Sequence, residues 1–173
     1  VDSNYGVLGV LASGMVPDGE VMMTEDSARA GRLSSINAER NGVENVEVQV
    51  TPWVSDIDRP YDVAAYAPKP FDPQEMVEQK IVDSMSLLDE SGRIIVSAHK
   101  NEGGNRYEDF LNEISDRAEV LSKSNGYRVI EADRPEEIDF NPRFETRSYT
   151  ADVDGIKATF RTVPGLFSEQ GLD

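Results

Sequence analysis

A strand that turns into a helix through glycines brings backbone N–H groups against a nucleotide or a carboxylate. The opening stretch VDSNYGVLG has the makings of such a turn, with Asp2, Gly6 and Gly9 as its working residues. The same two glycines also serve simply to let a helix pack closely. Glu25 stands at the end of the apolar run EVMMT, about 20 residues beyond the turn, where a carboxylate accepts hydrogen bonds from ribose hydroxyls. Its other reading is an acid at a helix N-terminus, since a helical pattern begins at once after it.

Two further groups sit where strands should end. Lys69 lies between Pro68 and Pro70, after the apolar run YDVAAYA. A cation there meets either an RNA phosphate or a nearby acid. Lys100, Asn101, Gly103, Gly104, Asn105 and Arg106 follow the run RIIVSA. A glycine turn with two cations ahead of a helix cradles a phosphate, or is a solvated loop. His99 beside it reads as a strand-end residue, and Trp53 as a plug for the sheet end. The acidic run EADRPEEID at 131–139 lacks the ligand spacing of a calcium loop.

The elements that must hold these residues alternate between periods. Residues 7–11 form a helix stopped by Gly14 and Pro17, and 20–24 a buried strand. Asp26 or Ser27 caps a helix that runs through Arg40, with Ala30, Leu33 and Ile36 inward and Gly42 as its stop. Strands follow at 46–50 and 61–67, the latter small and apolar enough to be central. Pro73 opens a helix bearing Val77, Ile81, Met85 and Leu88 on one face, and Gly92 leads into a strand at 93–98. Tyr107, Phe110, Leu111, Ile114 and Ala118 have the spacing of a core-facing helix. Strands at 119–122 and 127–131 flank Asn125-Gly126, and strands near 145–151 and 156–163 flank Asp154-Gly155, a two-residue hairpin signal. The fold class is therefore α/β: a mainly parallel central sheet with helices on both faces and a C-terminal antiparallel hairpin.

Composition narrows the function. The chain has 173 residues, enough for one domain that buries roughly 70% of its unfolded surface. It has no Cys and one His, which excludes a disulfide scaffold, a thiolate metal site, a Cys nucleophile and multi-His centres, and counts against a Ser-His-Asp triad. No apolar run approaches the ~18 residues of a membrane span. Thirty-three acidic against 17 basic residues give a net charge of −16, which by itself argues against nucleic acid. Only five of the basic residues are Lys and twelve are Arg. An acidic, lysine-poor surface suits a halophile, where at molar salt the Debye length is ~3 Å and self-repulsion is screened; its other reading is an ordinary acidic cytosolic protein. The chain starts mid-element and ends at SEQGLD without a natural stop, so it reads as a piece of a longer protein.

YGVLGVLAS, EVMMTEDSARAGRLSSINAERNG, NVEVQV and PYDVAAYAPKP, in that order, resemble the S-adenosylmethionine-dependent class I methyltransferases, in particular the "methyltransferase small" group. The tail VDGIKATFRTVPGLFSEQGLD is similar to the junction of small-subunit ribosomal RNA guanine-N2 methyltransferases, which carry two methyltransferase-like domains in tandem. The resemblance implies a Rossmann-like methyltransferase fold over 1–173, with 164–173 near the interdomain linker. It implies S-adenosylmethionine as the family cofactor, with Asp2, Gly6 and Glu25 as a vestigial cofactor edge. It further implies a cytoplasmic protein whose partners are a second, catalytic domain and small-subunit rRNA.

Active relatives carry an Asn-Pro-Pro-aromatic motif after the fourth strand, which grips and stacks a flipped base. Here Ala67, Pro68, Lys69 and Pro70 stand in its place, and the glycine turn lacks a Gly-x-Gly. The expectation is a degenerate N-terminal domain with no catalytic residue and no metal of its own. It supports the catalytic half, with Lys69, Lys100, Asn101 and Arg106 for RNA or interdomain contact. The rivals are an active methyltransferase with divergent motifs and a purely structural scaffold.

Overall fold

In a computed structural model of the chain, the described residues are 4–51, 54, 57, 60–70, 72–138 and 147–162. Asp2, Trp53, the last residue of the acidic run at 131–139 and the whole 164–173 tail lie outside them.

The first half builds a small parallel pair. Helix α1 (Val7–Met15) leads through a turn at 16–20 into β1 (Val21–Glu25), all five residues of which are buried. Helix α2 (Ala28–Arg40) then crosses over to β2 (Val46–Val50), which lies parallel to β1 with Met23 opposite Val48 and Glu25 opposite Val50. Ser27 caps α2, its hydroxyl accepting from the Ala30 N–H at 3.3 Å. Gly42, at φ 66°, stops the helix, and the Val43 N–H returns to the Ala38 carbonyl. Asn45 ties α1 down: its side-chain amide donates to the Val16 and Gly19 carbonyls, and its carbonyl accepts from Ser13 Oγ at 2.5 Å.

The inward face of α2 differs from the sequence expectation. Ala30, Gly31, Ser34 and Ala38 are buried, whereas Leu33 is 39% exposed and Ile36 half-buried. Small residues win that face because α2 lies very close to β2: any Cβ on Gly31 would collide with the Val50 side chain.

The second half is a mixed sheet. Strand β3 (Tyr61–Tyr66) pairs parallel with the long β4 (Leu88–His99), and helix α3 (Gln74–Ser86) makes the crossover. Leu88 therefore opens a strand instead of closing the helix face. Helix α4 (Gly104–Ile114) precedes β5 (Ala118–Ser124), which hairpins into β6 (Tyr127–Asp133) and thence pairs antiparallel with β4. Asn125 and Gly126 both have positive φ, as the two-residue turn requires. The order is β3-β4-β6-β5, so β3, which reads as a central strand, stands at the end of the four. No described strand lies on its far side. A last hairpin, β7 (Arg147–Val153) and β8 (Ile156–Thr162), turns at Asp154-Gly155.

Two cores result. Val77, Ile81, Met85, Ile94, Val96, Tyr107, Leu111 and Ile130 fill the larger one, between α3, α4 and one face of the four-stranded sheet. Val21, Met23 and Ala38 centre the smaller one. Among the described residues no helix is long and apolar enough to cross a membrane, and no group of His, Asp or Glu could hold a metal ion.

Candidate functional site

The C-terminal ends of β1 to β4 define the edge where an open α/β sheet places its ligands. The turn into α1 reaches this edge. Asn4, Tyr5 and Gly6 have φ of 47°, 61° and 92°, three left-handed residues in succession. Glycine adopts this conformation freely, whereas each of the other two carries a cost of about 1–2 kcal/mol. What holds them is a set of side chains from β1 and α2. Glu25 Oε1 accepts from the Tyr5 N–H at 2.8 Å and from the Ser34 hydroxyl at 2.7 Å. The Asn37 amide donates to the Tyr5 carbonyl at 2.8 Å. Gly6 is needed twice over: besides its φ, an added Cβ would lie 3.1 Å from Ser34 Cα. An added Cβ on Gly9 would meet the Met23 sulfur at 2.7 Å, and Met23 is fully buried. Both glycines therefore perform close packing.

Glu25 itself is 2% exposed. Thr51, whose N–H donates to the Glu25 carbonyl, and Gly6 are buried as well. The three residues that would line a nucleoside cleft are thus packed among themselves and their neighbours.

Across the edge, Lys69 reaches back toward β1. Its Nζ lies 3.1 Å from Asp26 Oδ2, closing a bridge over 43 positions of sequence. Its N–H donates to Asp72 Oδ2, and the Asp72 N–H returns to the Lys69 carbonyl, fixing the turn. Partial burial pushes the Asp26 carboxyl up, but the Lys69 hydrogen bond and charge, with Lys80, outweigh it and hold the group below its ordinary value. Ala67 and the two prolines offer no side-chain acceptor here.

The polar group after β4 has another architecture. Residues Lys100–Glu102 form a 3-10 turn, and Gly103, at φ 96°, caps α4. The Asn101 N–H donates to His99 Nδ1 at 3.2 Å, and the Lys100 N–H to the Gly126 carbonyl at 2.8 Å. The His99 ring meets Tyr127 edge-on at 5.1 Å, so it is a strand-end residue buttressing the β5–β6 turn. Gly103 and Gly104 are required by neighbours, since added Cβ atoms would approach the Tyr107 ring at 2.7 Å and the Ala98 carbonyl at 2.9 Å. Burial pushes the Tyr107 phenol up. Lys100, Asn101 and Arg106 are exposed, and among the described residues neither Lys100 nor Arg106 has an ion-pair partner.

Gly6 and Glu25 are therefore brought together by the fold, Lys69 is drawn toward them through Asp26, and the Lys100–Arg106 group remains apart at the end of β4. Ser34 and Asn37 escaped sequence reasoning, and Asp26 figures in it only as a candidate helix cap and not as the partner of Lys69. The available signal was Ser34 and Asn37 one turn apart on α2, polar groups at positions where an apolar side chain would serve packing equally well.

The methyltransferase small domain model matches residues 1–131. The uncharacterized protein YbxB of Bacillus subtilis (strain 168) is 28% identical over 136 residues, covering 76% of this chain and 67% of that protein. Among solved structures, the T. thermophilus 16S rRNA N2 methyltransferase RsmC, in complex with AdoMet and guanosine, superposes with a TM-score of 0.77 at 22% identity over 96% of this chain. This chain spans only 42% of the length of that one. An rRNA methylase from Streptococcus thermophilus superposes with a TM-score of 0.60 at 14% identity, covering 78% of this chain and 83% of that chain. At these identities the structural likenesses speak for the fold, a Rossmann-like methyltransferase fold with a mixed sheet and a C-terminal hairpin. The chain belongs to the methyltransferase small domain family.

Proposed function

We propose that this domain does not transfer a methyl group, and that it supports the catalytic domain of an rRNA guanine-N2 methyltransferase while contacting rRNA. The observation that carries the reading is the inward-held Glu25 carboxylate. A ribose needs an acid that faces an open cleft, whereas Glu25 Oε1 already accepts two hydrogen bonds and the side chain is 2% exposed. The residues present do not fit S-adenosylmethionine. On the target side, Ala67 cannot accept from an exocyclic amine, Pro70 has no ring to stack, and the Lys69 ammonium is engaged by Asp26.

The rRNA partner rests on the likeness to RsmC, whose name carries both the substrate and the cofactor. A cytoplasmic place of action follows from such a partner. Lys100, Asn101 and Arg106, exposed at the end of β4, are the groups left for RNA or for a neighbouring domain. The engagement of Lys69 by Asp26 favours, at that one position, a scaffold without RNA contact.

The test is a transfer assay with methyl-labelled S-adenosylmethionine, small-subunit rRNA and the 173-residue chain. No label should enter the RNA. Incorporation at a guanine amine would overturn the non-catalytic reading. In the full-length enzyme, joint replacement of Lys100 and Arg106 by Ala should weaken rRNA binding; unchanged binding would leave the scaffold reading in its place.

A further inference from the structure

Helix α2 is an exception to the charge of the chain. Against 33 acidic and 17 basic residues overall, it carries Arg29, Arg32 and Arg40 with Glu39 as its single acid. At about 100° per residue these three arginines fall within a narrow arc, opposite the buried Ala30, Gly31, Ser34 and Ala38. All three are exposed, and among the described residues none has an ion-pair or side-chain hydrogen-bond partner. Leu33 and Ile36 share that outward face.

At the N-terminal end the placement runs against helix stability, whereas Arg40 in the last turn suits the dipole. No acid occupies the first turn, Arg29 sits there instead, and the positive end of the helix dipole repels it. Asp26, just ahead of the helix, is held by Lys69. In a protein with acids to spare, a cationic helix face with no ion-pair partner among the described residues, its first cation set against the dipole, calls for an anionic partner outside the molecule. The guanidinium fork suits phosphate, and the three sites are spread over roughly 16 Å of helix, a run of charges that a nucleic-acid backbone matches.

We propose that the outer face of α2 is an RNA-backbone contact of this domain, with Arg29, Arg32 and Arg40 each taking a phosphate independently of sequence. It rests on the rRNA reading above. It adds a second group of cations to Lys100 and Arg106, on another element of the fold.

The experiment follows the anisotropy of a fluorescein-labelled RNA stem-loop against the 173-residue chain over a series of KCl concentrations. Replacing the three arginines by Ala should weaken binding by about tenfold or more. It should also flatten the slope of log affinity against log salt by roughly 0.7–0.9 per arginine. A control with Arg117→Ala, just ahead of β5, and Lys123→Ala on it should leave the slope within error. Because the arginines are exposed and Arg29 opposes the helix dipole, far-UV circular dichroism should be unchanged and the thermal midpoint should not fall. An unaltered slope in the triple variant, with the wild type still binding, overturns the α2 contact alone. Failure of the wild type to bind RNA overturns the rRNA reading with it. Equal competition by poly-glutamate assigns the face to an acidic protein and likewise overturns the proposal.

Discussion

The carboxylate of Glu25 and the hydroxyl of Ser34 meet at 2.7 Å inside the protein, with Ser34 fully buried. The same carboxylate oxygen takes the Tyr5 N–H, so one acid holds both α2 and the left-handed turn into α1. Ser34→Ala removes a donor to a buried charge and should destabilise the fold by about 1–3 kcal/mol. Glu25→Ala strands the Tyr5 N–H and should cost a similar amount. Because the two share one hydrogen-bond network, the double variant should cost less than the sum. Urea denaturation of the four proteins checks both size and non-additivity.

The Lys69–Asp26 bridge should appear in the acid limb of the stability curve. The Asp26 carboxyl is held below its ordinary value, so its contribution is complete above the unfolded carboxyl pKa and fades as pH falls through the folded one. With side chains 30% and 45% exposed, the pair is worth about 0.2–1 kcal/mol. Asp26→Asn should therefore lower stability at neutral pH and converge on the wild type in acid. Unfolding free energies measured across that window decide it, and a constant difference would refute the linkage.

Gly126 meets the His99 ring at the β5–β6 turn, and its φ is 83°. Gly126→Ala should destabilise through the left-handed backbone, about 1 kcal/mol, and through the clash as well. In a His99→Ala background the clash is relieved, so the second cost should shrink while the first persists. A double-mutant cycle on thermal unfolding separates the two.

Asn45 satisfies carbonyls at the end of α1 and in the turn that follows. Asn45→Ala should cost about 1–3 kcal/mol. Amide exchange should accelerate in α1 well before β4 or β6, because Asn45 ties only that end of the fold. Uniform acceleration would contradict the local role.

Local patterns made much of this fold legible. Asp154-Gly155 and Asn125-Gly126 mark their turns because positive φ at both positions is a property of the dipeptide itself. Tyr107, Phe110 and Leu111 mark the core face of α4 because large apolar residues bury at helical spacing. α2 misled for the opposite reason. Its buried face is made of Ala30, Gly31, Ser34 and Ala38, which carry little hydrophobic signal, while Leu33 points outward. Ala118 and Leu88 share helical spacing with α4 and α3 but open strands, since a strand that follows a helix within a few residues can continue its apolar spacing by accident.

In the site, the position of Glu25 at a strand end was readable, but its partners were not. Ser34 and Tyr5 reach it only through tertiary packing, and Asp26 finds Lys69 across 43 positions of sequence. Net charge sums over the surface, whereas α2 concentrates on one helix of an acidic protein three arginines that have no ion-pair partner among the described residues.

The most direct measurement is a calorimetric titration of the 173-residue chain with S-adenosylmethionine. With Glu25 buried and its carboxylate committed to Tyr5 and Ser34, no saturable heat should appear. Micromolar binding that Glu25→Ala abolishes would show an open, working cofactor cleft and contradict the closed one.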